Sequence, residues 1–175
     1  PPTTDLSAVT RPRTSPLLTP FDMASGETRF IWSTFSADQI DLNFANPEVL
    51  IAMVNVLLDY LKKGADYIRL DAVGYMWKTP GTPCIHLEKT HQLVKLFRAI
   101  ANEVAPGTVV LTETNVPHKD NISYFGNGRD EAQMVYQFSL PPLVLHAIHY
   151  GSSRALRQWA SSLDGGRGST TFFNF

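Results

Sequence analysis

Two short apolar segments, each ending at a carboxylate, most constrain what this chain can fold into. Residues 65–71 end in Asp71, and residues 108–112 are followed directly by Glu113. Both segments are rich in β-forming side chains and lack polar alternation, which is typical of buried strands. Each follows a segment with helical periodicity. Continuous apolar strands separated by helices predict a parallel sheet covered by helices on its outer face.

The helix before the first strand has clear start and stop signals. Asn46 can cap the free backbone N–H groups, Pro47 suits the first helical position, and Glu48 suits the positive end of the helix dipole. Lys62, Lys63 and Gly64 end the helix with cations and a left-handed stop. Its apolar face consists of Leu50, Val54, Leu57, Leu58 and Leu61.

The remaining elements follow the same alternation. A second helix is predicted over residues 87–104, with an apolar face of Val94, Phe97, Ile100 and Val104. We predict a long polar loop over 115–131, a strand at 134–136, helices at 143–150 and 154–163, and a last strand at 170–175. Residues 1–26, rich in proline, threonine and serine, are predicted to be irregular and on the surface.

The position of the carboxylates separates two fold classes. A (β/α)8 barrel and an open doubly wound sheet both fit the alternation. No glycine fingerprint follows either strong strand, which disfavours a nucleotide-binding sheet. Asp71 and Glu113 lie at the carboxyl ends of successive strands, where barrel enzymes place their chemistry. We therefore predict an α/β barrel.

Composition excludes several classes of partner. Among 175 residues, 15 basic side chains oppose 16 acidic ones, for a formal net charge of −1, and no long like-charge block is present. We therefore expect neither a nucleic-acid nor a membrane partner, since no apolar run approaches the roughly 18 residues of a membrane span. A single cysteine, Cys84, and the absence of a signal-peptide pattern favour a cytoplasmic setting. Both chain ends suggest a piece cut from a longer protein.

Paired carboxylates at neighbouring strand ends suggest retaining glycoside chemistry. In such enzymes two carboxyl groups about 5–5.5 Å apart act as nucleophile and acid/base. Arg69 is two residues before Asp71 and so points to the same side of the strand, where its charge would keep Asp71 ionised. The spacing alone leaves a capping or ion-pair role open for both carboxylates.

Several segments resemble the α-amylase superfamily, glycoside hydrolase family 13. Residues 67–73 are similar to its fourth-strand motif and residues 112–115 to its fifth-strand motif. Residues 39–43 and 46–48 resemble the stretch where the family's second domain returns to the barrel. Residues 81–87, 115–118 and 136–143 are similar to the sucrose-phosphorylase-like group within that family.

The resemblance implies roles for particular residues. Asp71 would be the nucleophile, Glu113 the general acid/base, and Arg69 the arginine that supports Asp71. Residues 1–35 would be the irregular end of an inserted second domain. Residues 36–175 would be a catalytic barrel fragment with about strands four to seven. The family's third carboxylate lies beyond the last strand, so the fragment is expected to be inactive alone.

The resemblance also implies a reaction class. The expected activity is a retaining transfer of α-glucosyl to phosphate, with inorganic phosphate as substrate and no cofactor or metal. Asn115 replaces the histidine expected in sucrose phosphorylases, which shifts the expected donor towards glucosylglycerate or sucrose 6-phosphate. His118 and Lys119 would suit their anionic acceptors.

Other interpretations stay open at this point. Tyr75 could stack on a sugar face or pack in its loop. A hydrolase or an amylosucrase-like transglucosidase would use the same two carboxylates. A sugar-binding or structural protein that has lost the chemistry is the remaining alternative.

Overall fold

The computed structural model describes residues 5–163 and 170–173 of the chain. Its elements, in chain order, are β1 Leu18–Asp22, β2 Thr28–Trp32, α1 Pro47–Lys62, β3 Tyr67–Leu70, α2 Glu88–Val104, β4 Val109–Thr112, α3 His118–Ser123, β5 Met134–Tyr136, α4 Leu140–Tyr150, α5 Arg154–Ser161 and β6 Thr171–Phe173. A single 3₁₀ turn, Val73–Tyr75, follows β3. The described helices include none with the length and apolar character needed to cross a membrane.

The chain forms two compact units. Unit 1 consists of Pro1–Val56 and Gly74–Thr90, and unit 2 of Leu57–Val73 and His91–Phe175. Unit 1 contains the antiparallel hairpin of β1 and β2, in which Leu18 is opposite Trp32. A small apolar core in this unit gathers Val9, Leu17 and Cys84.

The hairpin corrects the prediction that residues 1–26 are irregular. β1 pairs along its whole length with β2, and Gly26, at φ 82°, supplies the left-handed residue in the connecting turn. β1 has no buried face, so its sequence carries no apolar alternation that would predict a strand. Residues 1–4 lie outside the described residues.

Unit 2 contains the predicted parallel sheet. Its strand order is β3-β4-β5-β6, and each neighbouring pair is parallel. Residue 70, the last of β3, is level with residue 112, the last of β4. Asp71 and Glu113 therefore follow two adjacent strands at the same edge of the sheet.

Both predicted long helices are confirmed. Asn46 caps α1, because its Oδ1 accepts a hydrogen bond from the Glu48 N–H at 3.0 Å. In α2 the apolar face is rotated from the predicted one. Val94 and Ala101 are fully buried, whereas Val104 is 56% exposed. Val104 is the last residue of α2.

Three further details differ from the sequence-based expectations. β3 buries Ile68 on one face but exposes Tyr67 and Arg69 on the other, although a strand buried on both faces was predicted. The loop predicted over 115–131 contains α3, a helix of six residues, too short for a visible periodicity. α4 begins at Leu140, since its two prolines occupy the first turn, where they are tolerated. Residues 174–175 of the last predicted strand and the turn at 164–166 lie outside the described residues.

The rotation of α2 predicts unequal effects for two identical substitutions. Val94→Ala removes two buried methyl groups and should lower the free energy of unfolding by about 2 kcal/mol. Val104→Ala, the matched control, should change it by less than about 0.5 kcal/mol, because that side chain is already in water. Urea unfolding of the purified chain, followed by tryptophan fluorescence, measures both. Equal losses of unfolding free energy in the two variants would contradict the assignment of Val94 to the buried face of α2.

Candidate active site

Backbone hydrogen bonds join the ends of β3 and β4. The Glu113 N–H donates to the Leu70 carbonyl at 3.0 Å, and the Val73 N–H donates to the Glu113 carbonyl at 3.1 Å. These bonds continue the ladder one step past each strand. They keep Asp71 and Glu113 beside each other at the carboxyl edge of the sheet.

Arg69 connects the two carboxylates. Its Nη2 lies 3.0 Å from Asp71 Oδ1 and 3.8 Å from Glu113 Oε2. Arg69 and Asp71 are two residues apart along the chain, so the alternation of side chains along a strand predicts that both point to the same face of the sheet. Their ion pair confirms that prediction. The side chain of Asp71 is 72% exposed, whereas that of Glu113 is only 19% exposed. The two carboxylates thus share one cation but differ strongly in hydration.

The residue after Asp71 is strained and contacts Glu113. Ala72 has φ 46°, a left-handed conformation that side chains other than glycine seldom adopt. Its N–H donates to Glu113 Oε2 at 3.1 Å. A strained backbone next to a candidate nucleophile is a common property of active sites. Here it aims an N–H group at the neighbouring carboxylate.

The surroundings of Glu113 raise its pKa. Burial is the largest influence and raises its pKa, and a hydrogen bond and repulsion from Asp71 also raise it. The Ala72 N–H and the Arg69 guanidinium lower the pKa, but the net shift is upward. For Arg69, burial alone would lower the pKa, and Asp71, Tyr136 and Glu113 together raise it.

One neighbour of Arg69 was not among the predicted site residues. The Arg69 guanidinium carbon lies 5.4 Å from the centroid of the Tyr136 ring. Tyr136 is the last residue of β5, the strand beside β4. Because parallel strands end at one edge, the predicted strand at 134–136 already contained the signal that would have found it.

The other predicted site residues lie in different surroundings. Asn115 is exposed two residues after Glu113. His118, at the first position of α3, is exposed, and its ring centroid lies 5.9 Å from that of Phe172. Tyr75 belongs to unit 1, where its ring packs edge-on against Phe35 at 5.4 Å. Burial raises the pKa of Tyr75, and Arg13 partly opposes that rise.

A metal centre has no candidate in the described part of the chain. No group of three or more histidine, cysteine, aspartate and glutamate side chains there could hold a metal ion. The groups described at this sheet edge are two carboxylates, a guanidinium and a phenol.

Comparison with known proteins gives one family throughout. The family model "Alpha amylase, catalytic domain" matches residues 21–162. The glucosylglycerate phosphorylase of Escherichia coli (strain K12) is 68% identical over 174 residues, which is 99% of this chain and 31% of that protein. The sucrose phosphorylase of Bifidobacterium adolescentis is 31% identical over 155 residues, 89% of this chain and 29% of that protein.

A solved structure supports the same fold. The sucrose 6F-phosphate phosphorylase from Thermoanaerobacter thermosaccharolyticum aligns with a TM-score of 0.79 at 24% identity, over 99% of this chain and 34% of that one. The chain thus spans about a third of the length of the curated relatives that it matches.

The electrostatic balance at Glu113 predicts opposite effects of two substitutions. Asp71→Asn removes a group that raises the pKa of Glu113, so that pKa should fall. Arg69→Met removes a cation that lowers it, so the pKa should rise. Carbon-13 NMR titration of the glutamate side-chain carboxyls in the purified chain measures both, with Glu113→Gln assigning the signal.

If the pKa of Glu113 moves in the same direction in Asp71→Asn and in Arg69→Met, the opposing influences of Asp71 and Arg69 on Glu113 are refuted.

Proposed function

The chain belongs to the α-amylase catalytic-domain family, and we propose that it carries the nucleophile and the acid/base of a retaining α-glucoside phosphorylase. The family match and the identity to phosphorylases confirm the resemblance inferred from the strand-end motifs. The observation that carries the proposal is the asymmetric pair: Asp71, exposed and ion-paired with Arg69, beside Glu113, whose pKa is raised by burial.

In the proposed first step Asp71 acts as the nucleophile. A carboxylate oxygen of Asp71 bonds to the anomeric carbon while the bond from that carbon to the leaving oxygen breaks. Glu113 gives its proton to that oxygen, and a β-glucosyl ester of Asp71 results. The raised pKa of Glu113 supports this role, because a general acid must hold its proton until the leaving oxygen develops charge.

In the second step phosphate releases the glucosyl group. A phosphate oxygen bonds to the anomeric carbon, the ester bond to Asp71 breaks, and Glu113 takes a proton from phosphate. The product is α-glucose 1-phosphate, with both active-site carboxyl groups returned to their starting states. Two inversions give net retention.

The closeness of the two carboxyl groups supports a retaining reaction. Arg69 Nη2 lies 3.0 Å from Asp71 Oδ1 and 3.8 Å from Glu113 Oε2, so one guanidinium reaches both carboxyl groups. Inverting enzymes keep their carboxyls about 6.5–9.5 Å apart to admit a water molecule between base and sugar. Two carboxyl groups that share one guanidinium fit the closer spacing of retaining enzymes, about 5–5.5 Å. The nucleophilic role therefore suits Asp71 better than a general-base role.

The proposed donor is glucosylglycerate. Three relatives with that name are 68%, 57% and 56% identical over 174 residues. Asn115, in place of the histidine expected for sucrose, agrees with a donor other than plain sucrose. His118 and Lys119 are exposed on the first turn of α3 and could attract the carboxylate of glycerate, or phosphate.

The proposal also includes the architecture of the intact enzyme. Residues 36–175 would supply about strands four to seven of a (β/α)8 barrel, and residues 1–35 the end of a second domain. The small-molecule sugar and phosphate would be its partners, in the cytoplasm, and no cofactor would be needed. The fragment alone would lack one wall of the glucose site, including the third carboxylate of the family.

Product analysis tests the reaction class and the donor. The intact protein that carries this sequence should release α-glucose 1-phosphate from glucosylglycerate only when phosphate is present, and should act more slowly on sucrose and sucrose 6-phosphate. Glucose formed equally well without phosphate would identify a hydrolase, and transfer to a second sugar would identify a transglucosidase. The 175-residue chain, assayed in parallel, should form no product.

The double variant His118→Ala with Lys119→Ala separates the anionic acceptor from the glucosyl chemistry. It should raise the Michaelis constant for glucosylglycerate and leave that for sucrose unchanged, since sucrose carries no charge. Equal effects on both donors would remove these residues from the acceptor site.

Rescue by azide distinguishes the two carboxylates with an activated donor, α-glucosyl fluoride, whose leaving group needs no acid. In the intact protein, Glu113→Ala should form the ester on Asp71 and release α-glucosyl azide when azide attacks it. Asp71→Ala should instead give β-glucosyl azide, because azide replaces the missing nucleophile directly.

With the natural donor, Glu113→Gln should lose about 10²–10⁴-fold in kcat, because the leaving oxygen then receives no proton.

The stereochemistry of the azide products decides the roles. Nuclear magnetic resonance of the anomeric proton reads it directly. The same anomer from both variants, or opposite anomers in the reverse order, would overturn the assignment of Asp71 and Glu113.

A further inference from the structure

Tyr136 contacts the site from the third strand of the sheet. Val135 is level with Thr112 in the pairing of β4 with β5, so the next residues along, Glu113 and Tyr136, are level as well. The ring of Tyr136 faces the Arg69 guanidinium at 5.4 Å from its centroid. A guanidinium within about 6 Å of an aromatic centroid is attracted by the negative face of the ring.

Aromatic neighbours hold the Tyr136 ring in place. Phe138 stacks on it with centroids 5.7 Å apart, and Phe173 of β6 meets it edge-on at 5.0 Å. The Tyr136 carbonyl accepts a hydrogen bond from Asn121 Nδ2 at 2.8 Å. Both the ring and the backbone of Tyr136 are therefore restrained from two neighbouring elements.

Arg69 needs such a restraint. Its side chain is 45% exposed and its ion pair is with a carboxylate that is 72% exposed. Ion pairs between solvated groups contribute little, because water competes and a long side chain must be ordered. The Tyr136 ring supplies a contact to the guanidinium that the carboxylates alone do not.

We propose that Tyr136 is a positioning residue that holds the Arg69 guanidinium against Asp71 and Glu113 and so sets the charge that both carboxylates experience. Its effect on catalysis rests on the proposed function, whereas its effect on the charge balance of the site does not. Tyr136 acts through Arg69 and needs no contact with the sugar.

The hydroxyl distinguishes this role from packing. Phe138 and Phe173 require only an aromatic ring at position 136, and phenylalanine would satisfy them. The Tyr136 side chain also raises the pKa of Arg69 through its hydroxyl, which phenylalanine lacks. Tyr136→Phe therefore removes the hydroxyl and keeps the ring, and Tyr136→Leu removes both.

The first measurement needs no enzyme activity. Carbon-13 titration of Glu113 in the purified chain should shift to higher pH in Tyr136→Leu, since Arg69 lowers the pKa of Glu113 and would move away. Tyr136→Phe should shift the titration in the same direction by less. Phe125→Leu is the matched control: Phe125 is a buried aromatic that packs on Phe172, and its loss should leave the titration unchanged.

A double-mutant cycle tests whether Tyr136 acts through Arg69. In the Arg69→Met background, Tyr136→Leu should have no further effect on the Glu113 titration, because the cation that it positions is already absent. An equal shift in both backgrounds would overturn the proposal, as would an equal shift in Phe125→Leu. Should Tyr136→Leu fail to fold, Tyr136→Phe decides, and an unchanged titration overturns the proposal.

The second measurement uses the intact protein. Tyr136→Leu should lower kcat/KM for the phosphorolysis of glucosylglycerate by about 10- to 100-fold, chiefly through kcat, and should move the alkaline limb of its pH profile to higher pH. A loss without movement of that limb would make Tyr136 a packing residue. Absence of activity in the unsubstituted protein would overturn the proposed function, and the titration of the chain would still decide the role of Tyr136.

Discussion

The parallel register of β3 and β4 is the constraint on which the candidate site depends. Two backbone hydrogen bonds beyond the strands hold the chain at Leu70 and Val73 against Glu113. Side chains alternate between the two faces of a sheet, so a slip of one residue would turn Asp71 and Glu113 to opposite faces. The ion pairs of Arg69, the contact from Ala72 and the neighbouring ring of Tyr136 all presuppose this register.

A difference in burial gives two chemically similar side chains different properties. Asp71 lies largely in water and pairs with Arg69, whereas Glu113 is mostly covered and its pKa is raised. The same arginine reaches both carboxylates, but at Glu113 burial outweighs the nearby positive charge. This division of properties is what a nucleophile and a general acid require of two carboxyl groups. The difference arises because the side chain that follows β4 is covered and the one that follows β3 is not; both side chains carry the same carboxyl group.

Much of unit 2 could be predicted from sequence, because its elements bury one face and so carry a periodic apolar pattern. That pattern predicts the helix before β3 and the parallel order of β3, β4 and β5. It also predicts that Asp71 and Glu113 lie beside each other. The hairpin in unit 1 and the helix at His118 have no comparable pattern, since the hairpin begins with a strand that buries no face and the helix has six residues. The predicted strand at 134–136 places Tyr136 at the same sheet edge as the carboxylates, but its contact with Arg69, two strands away, depends on the register of β4 between them.

The arrangement of the site has a consequence for how the molecule is assembled. Asp71, Glu113 and Arg69 all belong to the single strand–helix–strand segment formed by β3, α2 and β4. Pairing of β3 with β4 around one helix is therefore enough to bring the two carboxylates together. Arg69 gains its aromatic neighbour Tyr136 only when β5 has also joined the sheet.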